Sequence, residues 1–299
     1  MTAATPSAAP SDDGRLAFLI VAHHQPDHLA RLVRALDGPG CYTFIHVDAK
    51  EPLAPFKAAA PERHNVVFLD DRLEVEWGKL SVVQATLALI DRALASGQAC
   101  RYFSLLSGSD YPTKPIGEIV ARLMSSDRQH MRVDRRLTSD PAGSHQHVLR
   151  DLPGRRYFGD LTPYHGSMYW SLTADCIRYV RGFLNGNPGF LEFHRRVATP
   201  DEVLFHTVIK QSPFAASITQ DYSDAAAPNQ TDHANHFIDW SVPWPNANLI
   251  LDERNLGDLL ASDCLFARKF DETKSARLLD MLDQLVHRRH RERGDNEEQ

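Results

Sequence analysis

Residues 16–26 read Leu16-Ala17-Phe18-Leu19-Ile20-Val21-Ala22-His23-His24-Gln25-Pro26. The apolar part is strand length, far short of the ~20 residues of a membrane span. It is continuous rather than alternating, which predicts a strand over Leu16–His23 buried on both faces, as in a parallel sheet. Asp27–Leu36 follows as a helix, with Leu29, Leu32, Val33 and Leu36 on one face and an acid at its start. The turn between them is not GxGxxG, so a dinucleotide site of the Rossmann type is not expected.

The pattern repeats. Strands are predicted at Tyr42–Asp48, Asn65–Leu69 and Tyr102–Leu106, with a helix over Leu80–Ala95 closed by Gly97 and a short one over Pro115–Met124. Repeated β-α-β implies an α/β fold with a mostly parallel central sheet flanked by helices. Ligands collect at the carboxyl ends of such strands, where Asp48 and Asp110 fall.

The second half is less regular. Arg132–Thr162 reads as loops. Ser167–Leu172 reads as a strand, Ala174–Leu184 as a helix, and Pro200–Lys210 as a helix with Thr199 as N-cap. Asp221–Asn235 reads as a surface loop, Phe237–Trp240 as a strand, and Arg254–Ala261 and Phe270–Val286 as helices. The 299 residues contain no internal repeat and no clear linker, so one composite domain is expected over 15–286. The leader 1–14, rich in Ala, Ser, Pro and Asp, reads as a disordered tail, and 287–299 as a solvated charged tail.

Composition narrows the function. A formal charge of -6 argues against a nucleic-acid binder. The four cysteines lie far apart without a CxxC pair, as expected of buried, reduced thiols in a cytoplasmic protein. GxxxxGK[ST], GxSxG and HEXXH are absent. His145 and His147 read as a surface pair rather than metal ligands.

Sugar-nucleotide chemistry remains. No Asp-x-Asp occurs, so another group must neutralise a leaving diphosphate. Arg268 and Lys269, set between Phe266 and Phe270, offer adjacent cations on an anchored segment. Asp201 and Glu202, after Pro200, suit a helix N-terminus, and either one suits a general base.

Seven segments together resemble the core-2/I-branching enzymes, glycosyltransferase family 14, which includes β-1,6-N-acetylglucosaminyltransferases and peptide O-xylosyltransferases. Ile45-His46-Val47-Asp48 resembles the family's I-H-V-D and Trp77-Gly78-Lys79-Leu80-Ser81 its W-G-G-A-S. Ser107-Gly108-Ser109-Asp110-Tyr111-Pro112 resembles S-x-x-D-Y-P, and Gly166-Ser167-Met168-Tyr169-Trp170-Ser171-Leu172 resembles G-S-x-W-x-x-L. Pro200-Asp201-Glu202 with Phe205-His206-Thr207 and Ser212-Pro213 resembles P-x-E-x-F-F-H-T-x-x-x-N-S-P. Ile238-Asp239-Trp240 resembles V-D-W, and Phe266-Ala267-Arg268-Lys269-Phe270 resembles F-A-R-K-F. Their order and spacing, from about residue 16 to residue 271, carry the resemblance.

The resemblance implies a GT-A-like single domain and an inverting, metal-independent transfer from a UDP-sugar, with no cofactor. The sugar implied is N-acetylglucosamine or xylose, and the acceptor a hydroxyl of a glycan or lipid-linked glycan. Glu202 is implied as the base, and Arg268 and Lys269 as the diphosphate ligands. Val21, Ala22, His23 and Asp48 are implied at the nucleoside, with Trp77 packed against it; core packing accounts for Trp77 equally well. Asp110 tightens the strand-end turn or touches the sugar, and Ser167, Asp239 and Trp240 are further donor or acceptor candidates. Asn246 stands near where the acetylglucosaminyltransferases carry an extra Arg, and Met168 where the xylosyltransferases carry an Asp. The chain resembles compact bacterial members, which implies a cytoplasmic enzyme peripheral to the inner face of a membrane. A degenerate sugar-nucleotide binder and a hydrolase are the competing readings.

Overall fold

The computed structural model describes residues 14–138, 146–149, 152, 156–226, 231–240 and 250–285. The leader up to 13, the tail from 286, His145, the side chain of His147, and Asn246 lie outside the described residues.

The first half alternates as the apolar runs require: β1 (Arg15–Ala22), α1 (Pro26–Ala35), β2 (Cys41–Val47), α2 (Leu53–Ala59), β3 (Val66–Phe68), α3 (Leu80–Leu94) and β4 (Cys100–Ser107). Then come β5 (Asp110–Pro112), α4 (Ile116–Met124), β6 (Gln129–Arg136), α5 (Gln146–Leu149), β7 (Tyr164–Gly166) and β8 (Ser171–Thr173). Next are α6 (Ala174–Gly186), α7 (Pro188–Phe193), α8 (Leu204–Lys210), β9 (Ile218–Asp221), β10 (Asp232–His233), β11 (His236–Ile238), α9 (Leu256–Ala261) and β12 (Phe266–Arg268). A last helical run covers 276–285.

The central sheet runs β3-β2-β1-β4-β8-β6-β7, with β9 also paired to β6. β3, β2, β1 and β4 are parallel; β8 enters antiparallel to β4, and β6 antiparallel to β8. β1 alternates between two cores. Leu16, Phe18 and Ile20 join α1 and the last helical run on one face, while Ala17 and Leu19 join α3, α6 and α8 on the other. A second sheet, β10-β11-β12-β5, branches off where β5 follows β4. Chain order reverses between β1 and β4, and such a switch point leaves a crevice at the strands' carboxyl ends.

Several local expectations need correction. Arg132–Thr162 is not all loop, because its start is β6. Met131 and Val133 are fully buried there, and Arg132 reaches the interior by pairing with Asp134 at 2.6 Å. In Ser167–Leu172 only Ser171 and Leu172 are strand. Pro200–Lys210 is not one helix: a 3-10 turn over Pro200–Glu202 breaks at Val203 before α8 begins. Thr199 is not an N-cap by side chain. Its φ is 47°, and its hydroxyl makes no cap bond. The last helix begins at 276 rather than at Phe270, behind a turn.

Candidate active site

Three loops converge at the switch point. The first is the turn after β1. Gly108, after β4, donates its N–H to Val21 O at 2.9 Å, and a Cβ there would meet Ala22 Cβ at 2.9 Å. Only glycine lets the β4 end lie this close to Val21 and Ala22. His23 is exposed, its ring centroid 4.0 Å from that of His24. Burial, His24 and Lys269 lower its pKa against the pull of Asp48 and Glu51.

The second loop leads from β3 to Trp77. Asp48 is buried, and its Oδ1 accepts the N–H groups of Lys50 and Val75 at 3.0 and 3.3 Å. Lys50 Nζ lies 3.3 Å from Oδ2. Burial alone would raise this carboxyl, but those donors hold it below its ordinary range. His46 is wholly buried, and its Nε2 accepts Leu73 N–H at 2.9 Å. His46 and Asp48 thus pin the approach to Trp77, whose side chain is 85% exposed. Core packing is therefore excluded for Trp77. Gly78, at φ 67°, turns the chain back, and its carbonyl accepts Thr199 N–H at 3.2 Å. The backbone beside Trp77 is thus tied to the segment that carries Glu202.

The third group is the basic pair. β5 and β12 place Arg268 opposite Asp110. Arg268 Nε lies 3.2 Å from Asp110 Oδ1, and its guanidinium carbon sits 4.1 Å from the Tyr169 ring centroid. Asp110 is completely buried and accepts Ser107 N–H and Oγ–H at 2.8 and 2.7 Å. His236 Nε2 stands 3.5 Å from its other oxygen. Burial would raise the Asp110 carboxyl, yet Arg268 and His236 hold it low, so it is a carboxylate. Its turn-tightening role is what the structure supports, since none of it is exposed to a sugar. Lys269 is half-buried, and its pKa is lowered by burial and by Arg268. Two cations crowded in this way favour an anionic ligand.

Glu202 closes the site. His165 Nε2 lies 3.0 Å from Glu202 Oε2, and the Glu202 side chain remains 34% exposed. Burial opposes its ionisation, but His165 and His206 lower its pKa. Adjacent Asp201 is pushed up to about 7 by burial and by the Glu202 charge, with Arg268 opposing the rise. Asp201 therefore feels Glu202 and Arg268 together. The resemblance singled out Glu202; in the structure its carboxyl is held low, while that of Asp201 is pushed up to about 7.

The remaining candidates are peripheral to these contacts. Ser167 is buried, its N–H donating to Arg132 O at 3.2 Å. Asp239 and Trp240 are half-buried and follow Ile238, which pairs with Arg268. Sequence reasoning missed His165, Tyr169 and His236 as site residues, though Tyr169 stood inside a quoted motif. Among the described residues no group of three or more His, Cys, Asp or Glu side chains is disposed to hold a metal ion. Nor is any helix there long and apolar enough to cross a membrane. A cavity of about 590 Å³ lined by Arg136, Arg156, Tyr157 and Asp160 includes none of the site residues above.

Comparison with known proteins identifies the family. Residues 16–259 match the family model described as Core-2/I-Branching enzyme. The chain is 26% identical to mouse xylosyltransferase 2 over 291 residues, covering 90% of this chain and 33% of the relative. It is also 26% identical over 308 residues to a bovine β-1,3-galactosyl-O-glycosyl-glycoprotein β-1,6-N-acetylglucosaminyltransferase, covering 92% of this chain and 70% of the relative. The chain thus spans about a third of the length of the xylosyltransferases it matches. A solved glycosyltransferase involved in glycosylation of the major capsid of PBCV-1 aligns with 90% of this chain and 99% of its own, at a TM-score of 0.35 and 11% identity, too distant to carry weight.

Proposed function

Because the chain belongs to the Core-2/I-Branching enzyme family of glycosyltransferases, we propose that it transfers a sugar from a UDP-sugar to an acceptor hydroxyl, inverting the anomeric centre without a metal ion. One observation supports this most. Arg268 is a fixed cation, its Nε 3.2 Å from Asp110 Oδ1 and its guanidinium carbon 4.1 Å from the Tyr169 ring centroid, on a chain with no Asp-x-Asp.

In this reading the nucleoside lies across the ends of β1 and β2, against His23, the Asp48 loop and exposed Trp77. Arg268, held by Asp110 behind and Tyr169 on its face, turns its terminal N–H groups to the diphosphate, and Lys269 adds a point charge. Glu202 takes the proton of the acceptor hydroxyl, whose oxygen attacks the anomeric carbon as the bond to UDP breaks. The cations stabilise charge that grows on the leaving phosphate and perform the task a divalent ion has elsewhere. The missing Asp-x-Asp suits that division of labour. N-acetylglucosamine or xylose is the proposed sugar, and a glycan or lipid-linked glycan the acceptor. The site of action proposed is the cytoplasmic face of a membrane.

Calorimetric titration with UDP in EDTA tests the reading. The wild type binds, and Arg268→Gln and Lys269→Gln each bind about 10- to 100-fold more weakly, the loss expected for one hydrogen bond to a charged group. A wild type that binds UDP only with added metal, or not at all, defeats it.

A further inference from the structure

β7 brings a histidine to the Glu202 side chain. His165 is 7% exposed, and its Nε2 is 3.0 Å from Glu202 Oε2. A carboxylate can only accept, so this nitrogen carries the proton and donates. The ring's position is set by backbone. His165 stands opposite Arg135 in the β6–β7 ladder. A Cβ on the next residue, Gly166, would fall 1.9 Å from Arg132 O and 2.7 Å from His206 Cδ2. No side chain fits there, so the strand lies tight against β6 and α8 and holds the imidazole at a fixed distance. The turn bearing Glu202 is anchored from its other side, since Glu202 N–H donates to Thr199 O at 3.0 Å and Thr199 N–H to Gly78 O at 3.2 Å.

We infer that His165 is the positioning residue of the base: it holds Glu202 Oε2 so that Oε1 is presented to the acceptor hydroxyl. The inference rests on Glu202 being that base. In the transfer the acceptor's O–H proton passes to Glu202, its oxygen bonds the anomeric carbon, and the electron pair of the broken bond leaves on UDP. His165 keeps its proton throughout. Its donated hydrogen bond favours the ionised form of Glu202 before the step and fixes which oxygen receives the proton. The titratable groups that face Glu202 are His165 on β7, His206 on α8 and Asp201 in the same turn.

The test compares His165→Asn with His165→Gln. Glutamine places an amide N–H where Nε2 stands; the shorter asparagine cannot reach Glu202. UDP release from the most active UDP-sugar is followed across pH, with UDP calorimetry as the check on folding. For His165→Asn we expect kcat about 10- to 100-fold lower, as for loss of one charge-assisted hydrogen bond. We also expect an unchanged donor KM and an acid limb shifted to higher pH. His165→Gln restores most of the rate and the acid limb. Wild-type kcat and acid limb in both variants, with Glu202→Gln inactive, overturn the positioning role and leave the base intact. A fully active Glu202→Gln removes the base itself. If His165→Asn fails to bind UDP, glutamine decides alone: UDP binding restored without the rate overturns the role.

Discussion

Arg268 Nε lies 3.2 Å from Asp110 Oδ1, with the two side chains 13% and 0% exposed, across the register that joins β12 to β5. Both residues stand in the smaller sheet, and Asp110 also accepts the N–H and Oγ–H of Ser107 at the end of β4. One carboxylate therefore ties the guanidinium to the end of the central sheet. Removing one member of a buried pair costs about 3–5 kcal/mol, because the other is left uncompensated. Asp110→Asn should lower stability in chemical denaturation by about 3 kcal/mol and weaken UDP binding along with it. Full stability and unchanged UDP affinity would detach Asp110 from both tasks.

Trp77 separates two kinds of contribution. An aromatic side chain 85% exposed adds little to the fold, so Trp77→Ala should shift stability by no more than about 0.5 kcal/mol. If it stacks on the uracil ring, UDP binding weakens about 10-fold, in the range of base–aromatic stacking. Thermal melts and calorimetry on the same variant decide. An unchanged UDP affinity would remove Trp77 from the nucleotide.

Asp201 and Glu202 make opposite pH signatures. Asp201, pushed up to about 7, binds its proton more tightly folded than unfolded. Its contribution to stability is complete below the ordinary carboxylate range and is lost as pH rises toward about 7. Glu202, held low by His165, contributes above the ordinary glutamate pKa and loses that contribution as pH falls. Asp201→Asn should thus gain on the wild type as pH rises from 5 to 8 in urea unfolding. A constant difference across that interval would mean that Asp201 titrates normally.

The parallel half of the fold was legible because β1 is buried on both faces, which leaves an uninterrupted apolar run in the sequence. β6 was not. Arg132, Asp134, Arg135 and Arg136 mask the alternation of Met131 and Val133, and no pattern in sequence announces that Arg132 enters the interior paired with Asp134. Glu202 and the Arg268–Lys269 pair stood inside motifs, so they could be named as candidates. His165 could not, since its partner is 37 residues away and a lone histidine beside a glycine has no signature. Gly166 was the available signal. A residue where no Cβ fits marks close approach, and here β7 approaches the Arg132 backbone of β6 and the His206 ring of α8.

The central claim is a metal-independent transfer with Glu202 as base. UDP release from a panel of UDP-sugars in EDTA, with and without glycan acceptors, for wild type and Glu202→Gln, addresses it most directly. The account predicts release from one donor in EDTA, lowered about 100-fold or more in the variant while its UDP affinity holds. Release that needs added metal, or equal rates in the two proteins, would contradict it.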